Sequence, residues 1–411
     1  MKFTKMSLVA ALLIGSSAFA IDNVKVSGDA KLYYNTNDGT NTTNPVSTNS
    51  KDNSLFNKNG ASAQAAASLN VSADLTKNIS AGTKITALST LGLEGQLVNN
   101  VWEGTNGTSD SWMVNELWLA ATYGKTTAKI GRMTLDTPLV FSETWSIVSN
   151  TFESAVVINQ DIPDTTLVGA YVGGTNSGGP LGTHPGMAGV IAPINNETTF
   201  SQFYHGAYAA GVVNNSWKPL TAQAWYYQAS HLTNAYWLEA DLNMQGILAG
   251  AQYAGIDKIT GVTTKSSSVY ALMLGYEMKD MFTAKVSYSA VDKDADAGFN
   301  LAGTGQSKLY TEAWWNYGYI TQADTDSYTI SLESPVKGLF DLGLYYTEAD
   351  QSKKAGDNDL TEITATVGKT FGPLDATLAY IYTDAADQNV KTSTGKNDTY
   401  NSVQAYLTLN F

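Results

Sequence analysis

Apolar and polar residues alternate along the last segment of the chain. Val403, Ala405, Leu407, Leu409 and Phe411 share one parity, and the positions between them hold glutamine, tyrosine, threonine and asparagine. Because successive side chains of a β-strand point to opposite faces, this alternation predicts a strand with one apolar face and one polar face.

The same two-residue period recurs through most of the sequence and predicts about eighteen strands. The predicted strands cover residues 24–36, 61–75, 79–91, 112–123, 126–135, 153–160, 166–173, 200–213, 220–230, 236–244, 247–255, 269–278, 281–291, 328–336, 339–347, 362–371, 374–383 and 400–411. The division between the ninth and tenth strands, near residues 231–234, is the least regular of these boundaries.

The connections between these strands follow a rhythm of their own. Turns after even-numbered strands are short, whereas most connections after odd-numbered strands are long and rich in Asn, Thr, Gly, Asp and Ser. This alternation is typical of an outer-membrane barrel, with short turns on one side and long loops on the other. We therefore predict an all-β fold, a transmembrane antiparallel β-barrel of about 18 strands with 16 as the alternative, wide enough for an aqueous channel.

The N-terminal segment, Met1 to Ala20, reads as a secretory signal peptide. Lys2 and Lys5 precede a short apolar run, and Ala18-Phe19-Ala20 has the small residues of a cleavage site. No later segment holds eighteen consecutive apolar residues, as a membrane-spanning helix requires. We therefore expect residues 21–411 to form one domain, the barrel, in the outer membrane of a Gram-negative bacterium.

Composition narrows the classes of partner. The formal net charge is −13, there is no cysteine, and Arg132 is the only arginine. Phosphate binding needs a basic face, so we expect no nucleic-acid partner, and the acidic excess favours cations through its field. The 9 Trp and 23 Tyr fit aromatic girdles at the two membrane interfaces.

Several charged residues lie on the polar parity of their strands. Glu116, Lys129 and Lys285 each precede an apolar residue that would meet lipid. Since a charge facing lipid at the bilayer midplane is costly, we expect these side chains to face the lumen. The same reasoning applies to Lys84, Glu333 and Glu362. Each is expected to be a solvated wall position rather than a selective group.

The segment Gly131-Arg132-Met133-Thr134-Leu135-Asp136-Thr137-Pro138, followed by Asn150-Thr151-Phe152-Glu153, is a local motif. It resembles the Gly-Arg-x-x-Leu-Asp-x-Pro … Asn-Thr-Phe-Glu signature of OprD-type porins, and the chain is similar to these and to Campylobacter-type major outer membrane porins. The resemblance implies passive transport of small hydrophilic solutes, often by a homotrimer. It also implies that the third long loop, Asp136 to Asn150, folds into the barrel and constricts the pore.

A ladder of basic residues lines the pore in the OprD pattern, and a chain with one arginine cannot build an arginine ladder. This departure favours cations over carboxylate-bearing solutes. Arg132, Asp136 and Glu143 flank an apolar segment with Phe141 and Trp145. They are predicted to set a transverse field at the constriction. Alternatively, Arg132 and Asp136 form a structural pair. By strict alternation Arg132 would face lipid, so its lumen position requires a bulge near Gly131 or the end of the strand.

Other chemistry has little support in the residues. His184, His205 and His231 match no helical zinc motif, and no Gly-x-Ser-x-Gly elbow or phosphate loop occurs. Asp292, Asp294 and Asp296 alternate like calcium ligands, but glycine and glutamate are missing from their required places, which favours a solvated acidic loop. We predict no cofactor, apart from a weak calcium possibility, and no enzymatic activity. A lipase or protease would need a Ser, His and acid that converge.

The sequence therefore predicts an outer-membrane porin, a passive channel for small hydrophilic solutes and ions that favours cations. Its partners would be lipid, the permeating solutes and the assembly machinery, which is expected to read the terminal aromatic residue Phe411. The alternative is an adhesin whose long loops carry binding.

Overall fold

The computed structural model describes residues 22–39, 54–92, 97–98, 100–101, 110–144, 147–177, 201–303, 305–386 and 397–411. For residues 22, 59, 100–101, 110–111, 201–205, 386 and 397–398 it describes the backbone alone. The predicted signal peptide, Trp145 and His184 lie outside the described residues. No helix within the described ranges is long and apolar enough to cross a bilayer.

Eighteen antiparallel strands form one sheet, each paired with its neighbours in the chain. They are β1 (Asp22–Asn37), β2 (Ala61–Thr76), β3 (Ile79–Ser89), β4 (Asp110–Tyr123), β5 (Thr126–Met133), β6 (Phe152–Asn159), β7 (Thr165–Thr175), β8 (Ser201–Asn214), β9 (Leu220–Ala229), β10 (Thr233–Met244), β11 (Ile247–Ile256), β12 (Ser267–Met278), β13 (Phe282–Val291), β14 (Thr325–Val336), β15 (Phe340–Gln351), β16 (Leu360–Phe371), β17 (Leu374–Ala386) and β18 (Asn397–Asn410). Within a long loop, the short strand Asn100–Val101 runs parallel to the first residues of β2.

The sheet closes on itself because β1 pairs with both β2 and β18. Leu32 lies opposite Ala65 on one side and Leu407 on the other. Gly28 and Phe411 exchange two backbone hydrogen bonds, of 2.7 and 3.0 Å. Closure removes the sheet edges, which would otherwise leave unpaired backbone groups in lipid. The predicted barrel of 18 strands is confirmed, including the boundary between β9 and β10.

The outer wall is apolar and the inner wall is mainly polar. On β16, Ile363 is 46% exposed to the outside, whereas its neighbour Glu362 is 1% exposed and faces inward. Leu117 and Ile130 are similarly exposed on the outer wall. Side chains such as Gln64, Ser289 and Gln404 are buried on the inner wall, and these also alternate with outward-facing apolar residues. This is the arrangement of a barrel in lipid rather than of a soluble sandwich.

Exposed tyrosines mark the outer wall toward the long-loop side. Ring pairs join neighbouring strands, with centroids 5.4 Å apart for Tyr171 and Tyr208 and 5.8 Å apart for Tyr236 and Tyr253. The exposed members of this set are Tyr171, Tyr208, Tyr226, Tyr236, Tyr253, Tyr270 and Tyr328. Amphipathic rings at this height form an aromatic girdle of the kind expected at a membrane interface.

Candidate pore constriction

Among the described residues, two connections fold into the barrel. The first inward loop (residues 134–151) joins β5 to β6, and the second inward loop (residues 292–324) joins β13 to β14. Leu139 and Val140 of the first loop are buried in one apolar cluster with Leu301 and Ala302 of the second. The resemblance implied the first of these loops at the constriction, whereas the second was not anticipated.

The first inward loop contacts two different parts of the wall. Leu139 donates its backbone N–H to Tyr227 Oη of β9 at 3.3 Å. Ile147 and Val148 instead pack in a cluster that includes Tyr33 of β1 and Met113 of β4. Because β9 and the β1–β4 wall are well separated around the barrel, the loop crosses the lumen between them.

The two inward loops bind each other through Asn300 and Lys308. Asn300 donates from Nδ2 to the Phe141 carbonyl at 2.9 Å and to Glu143 Oε1 at 3.0 Å. Lys308 forms an ion pair with Asp136, and its Nζ lies 5.0 Å from the centroid of the Phe141 ring. The loops therefore form a joint structure inside the barrel.

A cavity of about 460 Å³ remains between the two loops. Its polar lining includes Asp136, Ser142, Thr144 and Ser149 of the first loop and Gln306 and Lys308 of the second. Hydroxyl, amide and charged groups of this kind can replace the hydration of a small polar solute. The Asp136 side chain is 87% exposed, so its carboxylate is available to the contents of this cavity.

The second inward loop is attached to the wall at β11. Gln252 donates from Nε2 to the Lys308 carbonyl at 3.0 Å, and its Oε1 accepts the Tyr310 backbone N–H at 3.1 Å. Tyr310 Oη also donates to Asp241 of β10 at 2.6 Å. Glu239, the neighbour of Asp241 on the same face, accepts from Gln252 at 3.3 Å.

A second attachment joins the loop to β16. The Glu362 carboxylate accepts the backbone N–H groups of Trp314, Trp315 and Asn316 at 2.8 to 3.3 Å. It also accepts from Asn316 Nδ2 at 2.7 Å and from Thr364 Oγ1 at 3.2 Å. Glu362 was expected to be a solvated wall residue. It faces inward as predicted, but the loop buries it, so the expectation of solvation is wrong.

Glu312 is a further buried carboxyl within the second inward loop. Its carboxyl group accepts the backbone N–H groups of Ser307 and Ala313. Burial raises the pKa of Glu312 to about 8, although these hydrogen bonds act in the opposite direction. The group therefore retains its proton near neutral pH.

Arg132 lies on the outer wall, so its predicted lumen position is wrong. It is directly opposite the exposed Leu117 on β4 and opposite Glu153 on β6. Arg132 donates to Glu153 Oε1 at 3.0 Å and to the Val114 carbonyl at 2.9 Å. The alternative pairing of Arg132 with Asp136 is also wrong, because Asp136 pairs with Lys308. The bulge near Gly131 that a lumen position would require does not occur, and strict alternation continues to the end of β5. A bulge lies instead on the neighbouring strand β4, where Asn115 is the extra residue.

Glu143 belongs to the first inward loop but does not line the pore, which corrects its predicted role. Its side chain has no exposed surface and accepts from Asn300. Its backbone N–H donates to Asn150 Oδ1 at 2.7 Å. A Cβ atom on Gly303 would collide with Glu143 Oε1, so the loops pack closely here. Glu143 therefore joins the two loops.

Glu116, Lys129 and Lys285 lie on the inner face of their strands. Glu116 is opposite Lys84, and Lys129 Nζ lies 4.2 Å from the centroid of the Trp118 ring. Lys285 is opposite Gly275 near the short-turn side. These residues are wall positions away from the two inward loops, and an effect on selectivity stays a prediction.

The three candidate calcium ligands have separate partners. Asp294 pairs with Lys265, Asp292 Oδ1 accepts the Asp294 N–H at 3.0 Å, and Asp296 accepts the Ala323 N–H at 2.9 Å. Within the described residues, no group of three His, Cys, Asp or Glu could hold a metal ion. The calcium hypothesis stays an untested prediction.

One sequence signal could have identified the second inward loop. Trp314, Trp315 and Tyr317 lie together in a long polar connection, and aromatic residues in a loop need a surface to pack against. The same argument holds for Phe141 in the first inward loop. The wall partners Gln252, Glu239 and Asp241 left no comparable signal, since parity shows only that they face inward.

No family model matches the chain, and no curated protein matches it. Solved structures do match over nearly the whole length. OpdK of Pseudomonas aeruginosa aligns with a TM-score of 0.73 at 12% identity, covering 96% of this chain and 99% of that one. OccK8 (OprE) of the same organism aligns at 0.70 and 14%, over 96% and 99%. Acinetobacter baumannii OccAB4 aligns at 0.69 and 13%, over 95% and 99%. The chain therefore has the fold of these porins, as the resemblance implied.

Proposed function

We propose that this protein is a passive channel for small hydrophilic solutes in the outer membrane of a Gram-negative bacterium. Its barrel shares its fold with outer membrane porins, which supports this proposal. The observation that carries the proposal is the cavity between the two inward loops, which polar and apolar side chains line together, inside a wall that is apolar on its outside. A solute can exchange its hydration for polar groups there, without any energy source. The adhesin alternative has no support among the described residues.

Liposome swelling tests this proposal. The purified protein, reconstituted in vesicles, is expected to admit monosaccharides quickly and oligosaccharides slowly, since the two loops restrict the opening. Vesicles prepared with heat-denatured protein provide the control. Swelling no faster than in that control, from protein that retains its barrel in detergent, would refute the proposed channel.

The channel is further proposed to prefer cations. The lumen-facing lysines Lys31 and Lys84 both lie 3.8 Å from Asp29, and Lys129 lies near Glu116, so neighbouring carboxylates offset much of their charge. The only arginine lies on the outer wall. Together with the net charge of −13, this leaves an acidic field over the pathway. A reversal potential measured across a KCl gradient should have the sign of a cation-selective pore.

We further propose that Phe411 is recognised during assembly and that the protein forms a homotrimer. Phe411 is 66% exposed on the outer wall, and its ring covers Gly28 at the junction of β18 and β1. This position leaves the ring accessible to an assembly factor, and deletion of Phe411 should reduce the amount of protein in the outer membrane. A homotrimer, as the resemblance implies, should give crosslinked dimers and trimers, and no larger product, on chemical crosslinking in native membranes.

A further inference from the structure

The second inward loop is attached to the wall at two places on different strands. Residues 308–310 bind Gln252 of β11, and residues 314–316 bind Glu362 of β16. These strands lie five positions apart in the barrel, although the two attached segments are only a few residues apart in the chain. The loop therefore runs across the lumen between its attachments.

The attachment at Glu362 has more and stronger hydrogen bonds than the attachment at Gln252. Both carboxylate oxygens accept hydrogen bonds, and three donors are consecutive backbone N–H groups. Such a run of N–H groups forms a concave site for an anion. A carboxylate is an acceptor only, and its hydrogen bonds are stronger than those of a neutral group. Glu362 is 1% exposed, so water cannot replace these bonds without displacing the loop.

The same contact also supports the first inward loop. Trp315 packs against the cluster that contains Ile147 and Val148 of the first loop. Asn316 donates to Thr383 Oγ1 at 2.9 Å and accepts from Tyr400 Oη at 3.0 Å. Movement of residues 314–316 away from β16 would therefore remove support from both loops.

We propose that Glu362 is the positioning residue that sets the width of the channel, by holding residues 314–316 of the second inward loop against β16. The inference rests on the proposed channel function and extends it. Glu362 acts through the loop and does not need to touch the solute.

Glu362→Gln tests the proposal with little change in size. The amide presents a donor where the carboxylate presented an acceptor, so at least one backbone N–H loses its partner. The fraction of time that the segment is detached should rise on the order of tenfold, as expected for the loss of charge-assisted hydrogen bonds. In planar bilayers this appears as more frequent high-conductance states and, in liposomes, as faster entry of oligosaccharides. Glu362→Asp should give a frequency of high-conductance states and a rate of oligosaccharide entry between those of Glu362→Gln and of the unmodified protein.

Glu333→Gln is the matched control. Glu333 also faces inward, on β14, and accepts from Tyr345 Oη at 2.8 Å, away from both loops. It removes the same charge and should leave conductance states and solute cutoff unchanged. A folded Glu362→Gln barrel that behaves like Glu333→Gln would overturn the proposal.

Hydrogen exchange provides a readout that does not depend on transport. Amides 314–316 should exchange on the order of ten times faster in Glu362→Gln than in the unmodified protein, while amides 308–310 should change little. If the unmodified protein conducts nothing, the channel function fails, and exchange still decides whether Glu362 holds the loop. Unchanged exchange at amides 314–316 would show that Glu362 does not hold this segment against β16.

A reversible disulfide tests the same attachment, including the case in which Glu362→Gln alone does not fold. The chain contains no cysteine, so Asn316→Cys with Thr383→Cys places the only two thiols where the side chains are already in contact. Built into the Glu362→Gln background, the oxidised pair should hold residues 314–316 at the wall in place of Glu362, and reduction should increase high-conductance openings. The same pair with Glu362 intact should respond little to reduction, because the carboxylate still accepts the backbone N–H groups. Equal responses of the two backgrounds to reduction would count against the proposal.

Discussion

The two inward loops satisfy their polar groups in different ways. In the first, the loop itself supplies many partners: Thr137 bonds with the Val140 carbonyl, and Ser142 N–H donates to the Leu135 carbonyl at 2.7 Å. The second also has local bonds, such as that of the Asn300 N–H with the Gln306 carbonyl, but wall side chains on distant strands accept the N–H groups of Tyr310 and of residues 314–316. Because a buried N–H must find a partner, these segments depend on Gln252 and Glu362. Residues remote in sequence therefore position these parts of the second loop.

The largest effect is expected where the loops join. Asn300→Asp places a second carboxylate at the Glu143 carboxylate and removes the Nδ2 donor that reaches Phe141. Repulsion and the lost hydrogen bonds should separate the loops, with an increase in conductance and a loss of about 1–3 kcal/mol in the stability of the loop packing. Single-channel recording and thermal melting measure the two effects. Asn215→Asp, on an exposed short turn away from both inward loops, is the control. Equal behaviour of the two variants would contradict the contact between the loops.

The second effect is a pH dependence confined to the second inward loop. A carboxyl whose pKa rises from 4.5 to about 8 on folding binds more protons folded than unfolded between these values. Stability of the loop packing should therefore decrease as pH rises from about 4.5 to 8, and be lowest above pH 8. Protection of amides 307–313, that is their exchange rates corrected for the intrinsic rise of exchange with pH, should decrease over this window. Glu312→Gln should remove that contribution, and an unchanged pH profile would contradict it.

The third effect is smaller and concerns selectivity. Lys308→Gln leaves the exposed Asp136 carboxylate without its cation, so cation preference should increase. Asp136→Asn should lower it. Because Asp136 is largely exposed, each change should be about twofold or less in the permeability ratio. Reversal potentials in a KCl gradient measure both, with Lys77→Gln on an exposed turn as the control. Shifts of the same sign for both variants would contradict the assigned positions.

The smallest effect is expected at Arg132. Since the side chain lies on the outer wall with Glu153, Arg132→Gln should leave the reversal potential unchanged. The melting temperature should fall slightly, because the ion pair with Glu153 is lost. Lys129→Gln, an inward change on the same strand, should shift the reversal potential more. A large selectivity change in Arg132→Gln would place this guanidinium in the lumen after all.

Alternation was enough to predict the strands and the inward or outward direction of most charged residues. It even pointed Arg132 outward, and the wrong assignment came from grouping Arg132 with Asp136 and Glu143 around the aromatic segment of the loop. Alternation cannot distinguish a solvated inward residue from a covered one: Lys129 and Glu362 have the same pattern, and only the second is buried by a loop. The contacts of Phe141 with Asn300, and of Asn316 with Glu362, join residues too far apart for local patterns to reveal.

The most direct test of the account is the insertion of purified, detergent-solubilised protein into a planar lipid bilayer. An apolar exterior around a polar, partly open interior should produce discrete current steps that increase linearly with voltage. A protein that remains folded and monodisperse in water without detergent, and that leaves the bilayer silent, would contradict the account.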